Sequence, residues 1–384
     1  MKHVVVYKKE GLYTGWPLPA LLPDGRLTVV VQASPLVEHY ALGKRITLVS
    51  DDRGDTWSES DDPSIPSNWP GSSTRERHDR FEAVMPGGRY LAAGGVGWQV
   101  WPASDRAKAH EMGLAVFYGP DSATDDLIVG GNRLYVQWSD DRGRSWQRRE
   151  WAVPGAVCLL SFARSAHLAD GTVLVPAYDL GWEKDKIVDA VRAPSEGPRR
   201  DVHGTYVIRV IGESTCELAE VPGGGFGNEF AVVETAPGTV LAHLRDDSTA
   251  GRRTDSTGYL LESWSHDGGR TWSRAVKNGI WGYPPHLLKL SDGRILCTYG
   301  YRRDPMGIRA VLSSDGGRSW DLEHEVVLRD DAVAAWGNPL GQHCPGDLGY
   351  PLSVELPDGT IFTTYYFVEA DGVVHAAATR WRPD

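Results

Sequence analysis

Four copies of one eight-residue stretch constrain this chain more than any other feature. They run from Ser50 to Trp57, Ser139 to Trp146, Ser265 to Trp272 and Ser313 to Trp320, and all fit Ser-x-Asp-x-Gly-x-Ser/Thr-Trp. Five constrained choices in eight positions, met four times, describe a repeated supersecondary unit. The chemistry reads as a hairpin turn. The third-position carboxylates, Asp52, Asp141, Asp267 and Asp315, can accept nearby backbone N–H groups, and the glycine permits the positive φ of a tight reversal. The closing Trp is a large apolar anchor with one polar edge, suited to wedge between a unit and its neighbour.

A second repeat counts the units. Apolar strands are broken at Leu22-Pro-Asp-Gly25, Met85-Pro-Gly-Gly88, Leu168-Ala-Asp-Gly171, Ala236-Pro-Gly238, Leu290-Ser-Asp-Gly293 and Leu356-Pro-Asp-Gly359. Each break reads as a two-residue hairpin turn with another apolar strand directly after it. That gives six blades. The Trp-closed turns follow the first, second, fourth and fifth; the third and sixth have plain strands instead. The last blade runs out of chain after its third strand, and the amino-terminal His3–Tyr7 is the natural fourth. The expectation is an all-β, six-bladed β-propeller of four-stranded antiparallel blades, one domain over 1–384, its amino-terminal strand closing the last blade.

Bulk properties narrow the function. A net charge of −11 speaks against nucleic acid and anionic membrane surfaces as partners. The amino terminus has no apolar run long enough for a signal core or a membrane span, so the chain is expected in the cytoplasm or, trimmed of a leader, outside the cell. Cys158, Cys216, Cys297 and Cys344 have no metal-ligand spacing and are expected to be reduced and buried. No metal or cofactor is implied.

The Ser-x-Asp-x-Gly-x-Ser/Thr-Trp turn is the Asp-box, and with it the chain resembles the sialidase (neuraminidase) superfamily across nearly its whole length. The boxes themselves are structural staples on the lower rim, with the Asp-Gly turns. Ligands of propellers bind at the upper rim, built by residues before each first strand and by the loops between second and third strands. The resemblance implies a tyrosine nucleophile at the head of the sixth blade, a glutamate at the head of the fourth as its base, and an arginine at the end of the next strand. Tyr350, Glu229 and Arg245 match those positions in register with their turns. A neutral phenol can approach an anomeric carbon that bears a carboxylate, whereas an aspartate would be repelled; a nearby Glu takes its proton on attack.

Sialidases grip the substrate carboxylate with three arginines, whose planar forks match it bidentately. Arg245 would be one, and Arg302 or Arg303 a second, slightly out of the family's spacing. In the first blade Gly15, beside Trp16, stands where the third belongs. The acid/base position falls on Val37 to Tyr40, where Glu38 or His39 could donate a proton. A histidine here is similar to propeller enzymes that remove rhamnose from a glucuronate by hydrolysis or elimination. Further upper-rim candidates are Arg75, Arg77, His78, Asp79 and Arg80, then Trp98, Trp101, Arg164, Trp281, Tyr283 and His286, charges and aromatics that suit sugars. The expected activity is exo-cleavage of a terminal, acidic or neutral sugar from a glycan or oligosaccharide. A rhamnosyl-uronate hydrolase or lyase and a non-catalytic carbohydrate-binding propeller are the alternatives.

Overall fold

The computed structural model describes residues 1–35, 44–62, 83–85, 88–95, 99–111, 116–117, 127–130, 133–152, 159–160, 165–179, 204–212, 215–223, 229–246, 258–333 and 348–383. They form six blades of antiparallel strands. Blade I is Tyr13–Leu21, Leu27–Ser34, Lys44–Ser50 and Ser58–Glu59. Blade IV is Phe230–Ala236, Thr239–Leu244, Tyr259–Ser265 and Val276–Trp281. Blade V is Pro285–Lys289, Ile295–Tyr301, Gly307–Ser313 and Val326–Arg329. Blade VI is Gly349–Glu355, Ile361–Val368 and Val374–Trp381, completed by the amino-terminal Lys2–Tyr7, which pairs with Val374–Trp381. Blades II and III run from Ala83 to Ala152 and from Leu159 to Glu220.

Apolar side chains of neighbouring blades interlock. Clusters join blades I and II (Leu22, Tyr90), II and III (Val136, Val175), III and IV (Leu174, Val232), IV and V (Leu241, Val311), V and VI (Leu296, Ile361), and VI back to I (Phe362, Val29). Six interfaces joining six blades make a closed ring, whose stability rests on apolar area removed from water between sheets.

The repeated turns close as their residues require. Ser50 Oγ donates to Asp52 Oδ1 at 2.7 Å and accepts the Gly54 N–H at 2.8 Å. Asp52 also accepts the backbone N–H and hydroxyl of Thr56 at 2.9 and 2.6 Å. The other three copies repeat this geometry. Ser145, through its hydroxyl and N–H, and then Ser139 hold Asp141 down at about 2. Gly54 is needed twice over, at φ 89° and with a Cβ that would fall 2.4 Å from the Phe362 ring of blade VI. Trp57, Trp146 and Trp272 each donate the indole N–H to the carbonyl of the glycine three residues earlier. Trp320 lies instead on His243 of blade IV, 4.9 Å between ring centres.

Three details differ from the sequence expectation. The Asp-Gly turns hold three loop residues, because Gly25 N–H reaches Leu22 O and Leu22 N–H reaches Arg26 O, with Gly25 at φ 88°. Between the second and third strands of blade II, where a loop was expected, Gln99–Pro102, Val116–Phe117 and Leu127–Gly130 form a small extra sheet with the helix Arg106–Glu111. Cys216 is only half-buried, on an outer strand, although Cys297 is buried as expected. Cys158 and Cys344 lie outside the described residues. No helix among the described residues is long and apolar enough to cross a membrane.

Candidate active site

Each inner strand starts on the face opposite its Asp-Gly turn, so residues at the strand heads collect around one mouth of the ring. Tyr350 is aimed there by a β-bulge. Gly349 pairs with Tyr366 and Leu352 with Thr364, so Tyr350 and Pro351 together oppose Tyr365. The bulge holds Tyr350 at φ 51°, a region costly for a bulky residue and enriched at functional sites. Gly349 makes the approach feasible. Its φ is 116°, and a Cβ there would sit 3.2 Å from the Gly300 Cα of blade V. The Tyr350 ring lies over Tyr366, 5.6 Å between centres at 29°.

Glu229 immediately precedes the inner strand of blade IV and is buried. The Tyr350 hydroxyl donates to its Oε1, and Arg245 Nη1 donates to its Oε2 at 2.6 Å. Arg245 is fixed to the same residue through its backbone, the Arg245 N–H reaching Glu229 O at 3.0 Å. Residues 121 apart in the chain therefore share one carboxylate. Burial, then the adjacent Glu229 charge, pushes the Tyr350 phenol well above the ordinary tyrosine range, against the pull of Arg245 and Arg302. At rest the phenol keeps its proton.

The two blade V arginines part company. The Arg302 guanidinium lies 5.0 Å from the Tyr283 ring centre and 5.9 Å from that of Tyr350, and its Nε donates to Leu348 O at 3.1 Å. Its Nη2 is buried and meets no hydrogen-bond acceptor among the described residues. Arg303 stacks instead on Trp281, 3.6 Å from its ring centre. Tyr283 lies between Arg302 and Arg245, the latter 4.6 Å from its ring centre. His286 is buried, and its Nδ1 accepts the Ser353 N–H at 3.3 Å; it ties blade V to blade VI. Gly15 has a physical reason to lack a side chain, since a Cβ would meet the Tyr13 ring at 2.9 Å. The next residue, Trp16, stands edge-on to Tyr350 with 6.4 Å between ring centres.

Glu38, His39, Arg75, Arg77, His78, Asp79, Arg80, Trp98 and Arg164 lie outside the described residues, as does the charged stretch 180–203. Sequence reasoning missed Tyr366 and Tyr13, which pack behind Tyr350 and Trp16. Nothing in their strand pattern marks them, because a tyrosine facing a neighbouring blade reads as ordinary core.

Fold and site together define a six-bladed β-propeller with a tyrosine–glutamate–arginine cluster at its mouth. Residues 106–363, more than half of the chain, match the model of the BNR repeat-like domain, and the chain belongs to that family. It is a six-bladed BNR-repeat propeller. Among solved structures it is similar to a protein of unknown function from Dyadobacter fermentans, with 21% identity, TM-score 0.71, and 100% of this chain and 98% of that one covered. It is also similar to the K499G mutant of NanB sialidase from Streptococcus pneumoniae, with 13% identity, TM-score 0.60, and 98% and 70% covered. A third is the α-L-arabinofuranosidase Arb93A from Fusarium graminearum, with 12% identity, TM-score 0.52, and 100% and 98% covered. At such identities the likeness is one of fold. No curated protein matches the chain.

Proposed function

We propose that the chain is an exo-acting glycoside hydrolase of the sialidase-like type that removes a terminal sugar from a glycan. The observation that carries this reading is the hydrogen bond from the Tyr350 hydroxyl to Glu229, whose other oxygen is held by Arg245. Tyr350 Oη attacks the anomeric carbon as its proton passes to Glu229 Oε1, and the bond to the leaving oxygen breaks. Glu38 or His39 supplies the proton that the leaving oxygen takes up, and water then cleaves the glycosyl–tyrosine bond. The raised phenol pKa demands this coupling, because no phenolate stands ready in advance. Arg245 spends its charge on Glu229 and fixes which carboxylate oxygen faces the phenol. Arg302 offers its buried Nη2 to a hydroxyl or carboxylate of the sugar.

The test is turnover of aryl glycosides of N-acetylneuraminic acid, arabinofuranose and common hexopyranoses, with rhamnosyl-glucuronate alongside. Hydrolysis that disappears in Tyr350→Phe, with the fold intact, supports the reading. A product absorbing in the ultraviolet would identify an eliminating enzyme. Sugar binding without turnover by the unsubstituted protein would leave a binding propeller.

A further inference from the structure

Three consecutive blades carry a Gly-aromatic-Pro tripeptide at the head of the inner strand: Gly282-Tyr283-Pro284 in blade V, Gly349-Tyr350-Pro351 in blade VI and Gly15-Trp16-Pro17 in blade I. The burial is the same each time, with a half-buried aromatic between a buried glycine and a buried proline. Blade I repeats the bulge of blade VI. Gly15 pairs with Gln32 and Leu18 with Val30, so Trp16 and Pro17 together oppose Val31. Trp16 has φ 49° beside 51° at Tyr350, two bulky residues held in one sparsely populated conformation. Proline fits where the ladder is interrupted and no backbone N–H is needed. In blade V the Tyr283 N–H donates to Gly300 O at 2.9 Å, and pairing resumes at Pro285.

The repeat puts three rings side by side around the mouth. Arg302 lies against both Tyr283 and Tyr350, and Trp16 flanks Tyr350. Trp16 is seated from behind by Tyr13 and Tyr366, at 5.9 and 6.0 Å between centres. A ring held this firmly and left partly exposed beside the attacking phenol has been aimed, at the cost of a strained backbone. An aromatic surface there favours the C–H faces of a sugar and disfavours a charged substituent, which would lose water without gaining a partner.

We propose that Trp16, Tyr350 and Tyr283 form a sugar-facing aromatic arc in which Trp16 determines specificity. It selects a terminal sugar that turns an uncharged, C–H-rich ring face toward Trp16 while its acceptor group meets Arg302. This rests on the glycoside hydrolase reading of the same site. The experiment measures kcat and KM for the glycosides above with the unsubstituted protein, Trp16→Ala and Trp16→Phe, alongside their thermal unfolding midpoints. Trp16→Ala should lower kcat/KM by roughly tenfold or more, chiefly through KM, and Trp16→Phe should recover most of it. An unchanged KM overturns the proposal, as does a loss that follows the unfolding midpoint and is not rescued by Phe. If no glycoside is turned over, the hydrolase reading fails by itself. The arc is then read from titration calorimetry with the free sugars, where binding weakened by Trp16→Ala upholds it and equal or absent binding overturns it.

Discussion

The described residues include two tyrosine–glutamate–arginine groups, and they differ in which member is open to solvent. At the mouth, Tyr350 donates to Glu229 and Arg245 holds the second carboxylate oxygen at 2.6 Å. In blade V, Tyr299 donates to Glu325, with the Arg309 Nε 4.0 Å from the second oxygen. The burial is inverted. Glu229 is buried and Tyr350 partly open, whereas Tyr299 is wholly buried and Glu325 partly open. In both, burial comes first in raising the phenol pKa, and the neighbouring glutamate adds to it. The same chemical pair therefore serves opposite ends. A phenol can act on a substrate only if the phenol faces the substrate, and a buried carboxylate beside it keeps the proton acceptor away from water. Tyr299 anchors a strand; Tyr350 faces the mouth.

The sharpest way to break this comparison is to remove each hydroxyl. Tyr350→Phe should lower kcat on a turned-over glycoside by roughly a thousandfold or more, as expected when a nucleophile is lost. Tyr299→Phe should leave kcat within a few-fold and cost about 1–2 kcal/mol in denaturant unfolding. Equal effects on kcat would erase the distinction. Next in size, Glu229→Gln should reduce kcat by roughly a hundredfold or more, while Glu325→Gln changes it little. Arg302→Lys should raise KM by roughly tenfold at nearly constant stability, because a point charge replaces a planar fork. Arg303→Ala, which removes the stacking on Trp281, should change KM by less than about threefold.

The smallest effect is one of acid stability and belongs to the turns rather than the mouth. Asp141 sits at about 2 when folded, below the ordinary 3.8, so the stability it adds is present above that ordinary value and is lost as pH falls toward 2. The unfolding midpoint of Asp141→Asn should therefore approach that of the unsubstituted protein between about pH 4 and 2, and differ most above pH 4.

The heads of the inner strands were legible from the chain alone. Glu229 precedes the turn glycine Gly238 by nine residues, and the same nine separate Tyr350 from Gly359 and Trp16 from Gly25. That spacing put Glu229 and Tyr350 at one rim, the family resemblance added Arg245 at the end of the next strand, and the structure brings the three together. The Gly-aromatic-Pro repeat was equally visible, but its meaning needed the bulges. Spacing did not separate Arg302 from Arg303, because both lie just past the end of Ile295–Tyr301, where strand alternation no longer sets which way a side chain points. Nor could it place His286, a polar residue whose partner is a backbone N–H on the next blade.

By itself the sequence determined the closed ring of six blades, since the Asp and Gly chemistry of each turn acts within eight residues and is satisfied locally. It also determined which residues stand at the strand heads. Tertiary structure alone decided which of them meet. The contact of Gly300 with Gly349, the bulges at Trp16 and Tyr350, and the burial that separates Tyr350 from Tyr299 all depend on how one blade presses on the next. Local hydrogen bonds write the frame; packing between distant segments aims the side chains within it.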